Sequence, residues 1–198
     1  MDTVDLHLPD SEQPHFKPES VRYGALMGQW FVVASTLPLW KGKKNVSITY
    51  TALPGEPETT FGDLVQYRSS SAAPDSAPST VRGVDRLQTD LEGNGVRWKW
   101  RGSGWLKIAS SHWQILGSSL LPTSSPLADS PASTLPEFAI TYFSSTLFTP
   151  AGLDIYTRSP DGLSDAQVDV LIKKLEALGG EVEKLVKDGG MFRIPHGQ

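Results

Sequence analysis

The 198-residue chain contains no cysteine, which removes disulfide frameworks, thiolate nucleophiles and zinc–sulfur centres. That absence suits a reducing compartment, and a cytoplasmic setting is the expectation. Long apolar runs are lacking as well. No stretch approaches the ~20 residues that carry a helix across a bilayer, so no membrane span is expected. The opening Met1–His7 has no basic segment followed by an apolar stretch and a small-residue cleavage site, and does not read as a signal peptide. Positive charge is not in excess: 18 Lys and Arg against 22 Asp and Glu give a net charge of −4 and a pI near 5.5. Nucleic acid is therefore not an expected partner, since phosphate binding rests on clustered cations. Histidine is scarce, and with His7, His15 and His196 near the ends only His112 is left for the body of the fold. There is no Gly-rich phosphate loop, no metal-spaced His/Asp/Glu cluster and no Gly-x-Ser-x-Gly element. Hydrolase, kinase and metalloenzyme chemistry thus have no foothold, and neither cofactor nor metal is expected.

What is present is aromatic and strand-like. Six tryptophans and 38% hydrophobic content suffice for one sizeable core, while the length argues against two domains. Residues 1–22, punctuated by Pro9, Pro14 and Pro18, read as an extended arm, and residues 23–198 as one domain with a tail. The Ser/Pro/Ala-rich segments Ser69–Ser79 and Ser118–Pro136 have no periodicity and read as long loops. Between them lie runs of β-branched and aromatic residues: Trp30–Thr36, Val46–Leu53, Phe61–Arg68, Val81–Leu91 and Val96–Arg101. Glu92–Gly95 is a hairpin signal. A sixth strand covers His112–Gly117 or begins as early as Trp105, and Phe138–Leu147 and Leu153–Ser159 flank a Thr149–Gly152 turn. In Val96–Arg101 strict alternation puts Trp98 and Trp100 on one face and Arg97, Lys99 and Arg101 on the other, so one face is wet. Eight sequential antiparallel strands with a wet face are the content of a closed up-and-down barrel, which has no exposed edge. Beyond Pro160 the apolar spacing changes to that of a helix: Ser164–Leu178 is amphipathic, opens on a Ser164/Gln167 capping box and ends at Gly179-Gly180. Val182, Leu185 and Val186 then lead to a final extended segment, Met191–Ile194.

Tyr23–Ala34, with Gly28-Gln29-Trp30 opening the first strand, resembles the first signature of the lipocalins. Tyr156-Thr157-Arg158-Ser159-Pro160 resembles the Arg-containing signature that ends their eighth strand, and the expected helix follows directly. The likeness is nearest to the bacterial lipocalin and apolipoprotein D branch. The second lipocalin signature has no clear counterpart, and the Ser118–Pro136 insertion stands in its place. The resemblance implies an all-β, eight-stranded antiparallel lipocalin-like barrel with the C-terminal α-helix packed outside. It further implies a base plugged by Trp30, with the Arg158 guanidinium laid across the indole, a contact worth roughly 0.5–2 kcal/mol.

With that base fixed, Leu37–Lys44, Ser69–Ser79, Gly102–Ser111 and Phe148–Gly152 frame the mouth. Such a barrel either fills its interior with side chains or holds one small ligand. Trp98 and Trp100 are expected inside, and Tyr50, Tyr67, Trp113 and Tyr142 are further wall candidates whose facing a one-residue slip would reverse. Trp40, on a loop with Lys41, Lys43 and Lys44, is expected as a lid with a cationic rim suited to carboxylate or phenolate ligands. The leading expectation is a carrier of a small hydrophobic molecule. The alternative is a cofactor-free isomerase or cyclase, including a pericyclase, acting on a hydrophobic biosynthetic intermediate. In that case His112, Asp63 or Asp85 would handle protons. A filled structural barrel is the third reading.

Overall fold

The computed structural model describes residues 4–12, 16–73, 75–90, 94–104, 109–120, 136–147, 149–188 and 190–197. Eight strands, β1 (Gly28–Ser35), β2 (Lys43–Ala52), β3 (Thr60–Ser69), β4 (Ser79–Leu87), β5 (Arg97–Gly102), β6 (Ser110–Ser118), β7 (Phe138–Phe143) and β8 (Gly152–Thr157), pair antiparallel in sequence order. β1 pairs with both β2 and β8, which closes the barrel. Two helices follow, α1 (Asp165–Ala177) and α2 (Gly180–Lys187), then a two-residue β9 (Phe192–Arg193) on the upper part of β1. The eight strands and the first helix are those expected. β4 stops at Leu87 and β7 at Phe143, short of the apolar runs, and half of the hairpin signal and most of the Ser118–Pro136 insertion lie outside the described residues.

Two apolar cores explain the strand composition. Inside the barrel, side chains at alternate positions meet: Trp30 and Val32 of β1, Ile48 and Tyr50 of β2, Phe61 of β3, Trp98 of β5, Trp113 and Ile115 of β6. Outside, Ile140 and Tyr142 of β7 and Leu153 and Ile155 of β8 pack under Val168, Leu171 and Leu175 of α1 and Val182 and Val186 of α2. The β7–β8 wall is therefore buried on both faces, and its strands read as continuous apolar runs rather than alternating ones. The capping box is formed as expected: Gln167 N donates to Ser164 Oγ at 3.3 Å and Ser164 N to Gln167 Oε1 at 2.8 Å. Gly179 and Gly180, at φ 75° and 61°, turn the chain into α2.

The N-terminal arm is fastened to the wall. His7 N donates to Leu116 O at 3.0 Å and Asp10 N to Gln114 Oε1 at 3.0 Å, while Lys174 Nζ of α1 donates to Val4 O at 3.1 Å. Farther along, Phe16, 2% exposed, packs into the base of the interior core.

The base itself is built on β1. Gly28 sits at φ 95°, a conformation that side-chain-bearing residues rarely adopt, and two residues later Trp30 turns inward, 1% exposed. Its indole N–H donates to Leu26 O at 2.8 Å, and Arg158 Cζ lies 3.6 Å from the ring centroid. The guanidinium also donates to Ala25 O at 2.6 Å, Gln29 O at 3.1 Å and Glu137 Oε2 at 3.0 Å. Because one cation holds the strand start, the preceding turn and the ring, Arg158→Ala is expected to cost about 1–3 kcal/mol of unfolding free energy and Trp30→Ala about 3–5 kcal/mol. The two losses should add to more than the double variant loses in urea denaturation, since the partners share one contact.

Candidate functional site

Above the aromatic core the barrel opens into a cavity of about 640 Å³. Its walls come from inward positions of β2, β3, β4, β5, β6, β7 and β8 and from three mouth connections. Tyr50, Val65, Tyr67, Val81, Trp100, Trp113 and Tyr156 line it, with Leu37, Leu39 and Trp40 from the first connection, Ala109 from the fifth, leading into Ser110 and Ser111 of β6, and Ser144–Leu147 with Thr149 from the seventh. The floor is a stack of rings. Tyr50 and Trp113 lie parallel at 5.7 Å, Trp98 lies beneath Trp113 at 4.6 Å, and Phe61 meets both Tyr50 and Trp98.

Three carboxyls are enclosed by this apolar interior, each near a different tryptophan. Asp154 of β8 is 0% exposed and accepts from Trp40 Nε1 at 3.3 Å. Asp85 of β4 is 0% exposed and accepts from Trp113 Nε1 at 2.7 Å. Asp63 of β3 presents surface to the cavity, and the Trp100 indole favours its charged form. Trp100 reaches that position by lying over Gly83, where a Cβ would overlap the indole and crowd the Arg101 carbonyl. Asp63 Oδ1, Asp85 Oδ2, Asp154 Oδ1 and the Tyr156 hydroxyl have no hydrogen-bond partner among the described residues.

Burial governs the protonation of these groups, because it penalises the charged form. It raises Asp154 to about 7 against the opposing pull of Ser35, Trp40 and Tyr156. It raises Asp85 to about 7 although the Trp113 N–H favours the carboxylate. Asp63 is pushed well above the usual carboxylate range by burial and then by neighbouring Asp85. The Tyr50 and Tyr156 hydroxyls are raised too, first by burial and then by nearby acidic groups.

Of the wall candidates, Tyr50, Tyr67, Trp100, Trp113 and Trp40 line the cavity. Trp98 is inward but lies below it, fully buried as core. Tyr142 faces the other way: it packs beneath the helices and its hydroxyl donates to Glu181 Oε2 of α2 at 2.9 Å. His112 stands at the rim but pairs with Lys99 in the register of β5 and β6, on the wet face, and its ring is exposed. Desolvation and then Lys99 and Arg97 hold its pKa below the ordinary value. Asp63 and Asp85 are both inward, while His112 meets the cavity only at its rim. Trp40 is 8% exposed and wedged inside against Tyr67, so it is not a free lid. The lysines beside it diverge: Lys41 lies over Phe192, Lys44 donates to Ala72 O at 3.2 Å, and Lys43 lies over Tyr67 at the cavity. Asp154 and Tyr156 escaped the sequence reading. Their signal is positional: both share the parity of Arg158, which the base geometry orients.

No family model matches the sequence, and no curated protein matches it. Solved structures do. The siderocalin Ex-FABP superposes with a TM-score of 0.56 at 12% identity, over 87% of this chain and 95% of that one. Insecticyanin from the tobacco hornworm Manduca sexta gives 0.59 at 12% identity, over 98% and 89%. Lobster apocrustacyanin A1 gives 0.53 at 14% identity, over 100% and 93%. At these identities the likeness is one of fold: the chain is a lipocalin-type barrel with a helix packed outside.

The buried carboxyls set a pH dependence. In the unfolded chain they titrate near ~4, whereas folded Asp85 and Asp154 keep their protons to about 7. Between those values the folded state binds more protons than the unfolded one, so these groups lower stability as pH rises and the loss levels off above about 7. Asp154→Asn keeps the shape and does not ionise. In urea titrations at about pH 5 and about pH 8 the variant is expected to lose less stability between the two than the parent does; an equal or larger loss would show that Asp154 does not titrate in this range.

Proposed function

We propose that this protein binds a small, largely apolar molecule in the barrel, as a carrier or binding protein of the lipocalin type. The observation that supports it best is the open 640 Å³ cavity, a size within the ~300–1,000 Å³ of small-molecule sites, walled by flat aromatic rings above a packed floor. The third reading, a filled barrel, loses its basis with that space. The finer placement near the bacterial lipocalin and apolipoprotein D branch, and the cytoplasmic setting, belong to the same proposal; they rest on the Gly28–Trp30 and Tyr156–Pro160 resemblance and on the cysteine-free chain.

A second reading has a specific observation behind it. Asp85 and Asp154 sit near the pKa at which a carboxyl both gives and takes a proton at neutral pH, and Asp63 is raised beside Asp85. Groups tuned this way in a shaped apolar pocket suit a cofactor-free isomerisation or cyclisation, in which holding a reactive conformer supplies much of the acceleration.

Occupancy is tested by filling the space. Val65 and Val81 line the cavity, and a tryptophan at either position is expected to weaken an uncharged apolar fluorescent probe such as N-phenyl-1-naphthylamine by about tenfold or more, with the far-ultraviolet circular dichroism unchanged. Probe binding that is indifferent to both substitutions would place the ligand elsewhere. For the second reading, turnover of a conjugated intermediate by the parent and its loss in Asp63→Asn or Asp154→Asn, at unchanged Kd, is the expected signature; no turnover above the uncatalysed rate would remove it.

A further inference from the structure

The cavity is apolar in area but one-sided in charge. Asp63 and Asp154 border it and Asp85 lies just below. Among the described residues Lys43, at the mouth, is the only Lys or Arg that lines it, and its ammonium lies 5.2 Å from the Tyr67 ring centroid. The interior offers the carboxyls indole N–H groups but, among the described residues, no counter-cation. The Asp154 side chain is fully buried with Oδ1 unpartnered, and the Tyr156 hydroxyl two residues on, 1% exposed, is unpartnered too; both border the cavity. Buried polar atoms are normally satisfied, and charged ones are normally paired. A carboxyl held in this setting without a cation is short of one partner.

We propose that the natural ligand is an amphipathic amine, whose protonated nitrogen seats against Asp154 within the negative field to which Asp63 adds, while its apolar body lies along the tryptophan and tyrosine walls. This rests on the reading of the cavity as the ligand site and replaces the expectation, drawn from the lysine-rich mouth, of an anionic ligand. The chemistry discriminates three ways. An ammonium group supplies both the missing charge and several donors, and the ring faces of Tyr50, Trp100 and Trp113 attract it as well. An alcohol or carbonyl supplies a hydrogen bond but no charge. A carboxylate meets like charge in a low-dielectric pocket, where repulsion is poorly screened.

Binding is then linked to protons. An ammonium beside the carboxyls favours their ionised form, so it displaces protons when it binds near neutral pH, and affinity falls as the carboxyls become protonated in acid. The groups that face the nitrogen are Asp63 and Tyr67 from β3, Asp85 from β4, Tyr50 and Lys43 from β2, and Asp154 and Tyr156 from β8. β5 and β6 contribute the indoles of Trp100 and Trp113, with His112 at the rim.

The test is calorimetric titration with three probes of one skeleton: 3-(1-naphthyl)propylamine, the matching alcohol and the matching carboxylate. At about pH 7.5 the amine is expected to bind at least about tenfold tighter than either, and to lose most of that advantage at about pH 5 as the carboxyls take up protons. Repeating the amine titration in buffers of different ionisation enthalpy should reveal proton release. Asp154→Asn and Asp63→Asn should each reduce the amine preference while leaving the alcohol within about threefold. If the alcohol or the carboxylate binds as tightly as the amine to the unaltered protein, the amine proposal is overturned and the ligand cavity stands. If none of the three binds, and the uncharged N-phenyl-1-naphthylamine probe does not bind either, both are overturned. The decisive comparison needs no variant, so a substitution that impairs folding does not blunt it.

Discussion

Everything in this molecule hangs on β1, because one strand must pair on both edges for the sheet to become a barrel. Gly28–Phe31 pair with β2, and Phe31–Ser35 pair with β8. The strand shifts partners along its length, with a bulge between Val32 and Ala34 at the β8 side. Arg158, at the end of β8, reaches the carbonyls of Ala25 and Gln29 and covers Trp30. The closing seam and the plug are thus a single assembly. Without it there is no enclosed space, and without enclosed space no reason for a carboxyl to keep its proton at neutral pH. The electrostatics of the cavity are a consequence of closure at the other end of the barrel.

Strand number and order were legible because alternation is a strong signal wherever one face is wet. β5 shows it in its clearest form: Trp98 and Trp100 inward, Arg97, Lys99 and Arg101 outward. The same parity resolves β6. Since Trp98 opposes Trp113, His112 cannot share the interior with it, and its pairing with Lys99 follows. Two things were not legible. Depth along the barrel axis is invisible to a period of two, so Trp98 and Trp100 look equivalent although one is floor and the other wall. Facing is also lost where both faces are buried. β7 presents Phe138 to Phe143 with no charged residue to mark an outer face, because helices cover it; Tyr142 therefore offered no clue that its hydroxyl meets Glu181.

Asp154 was hidden for a related reason. A lone carboxylate in a fully buried strand looks like an interruption, and its meaning appears only when the residues around the barrel are known. Trp40 and Asp154 are 114 positions apart in the chain, and Trp113 and Asp85 are 28 apart. Nothing local to either residue announces the pairing. In both cases an indole takes on the task of holding an acid that the apolar wall would otherwise reject, and it does so as a donor without charge. That choice keeps the carboxyls poised instead of fixing them as carboxylates, which an arginine in the same place would do.

The arm that crosses the outer wall carries a consequence for the order of assembly. Its anchors are Leu116 on β6 and Lys174 on α1, the latter 170 residues away in sequence. The arm is therefore made well before its last partner. Leu6 already finds a surface over Gly117 of β6, but until α1 emerges from the ribosome Lys174 cannot hold Val4 and the packing of the arm is incomplete. Docking of the arm is then a late event, sealing wall, helix and arm together only once all three exist.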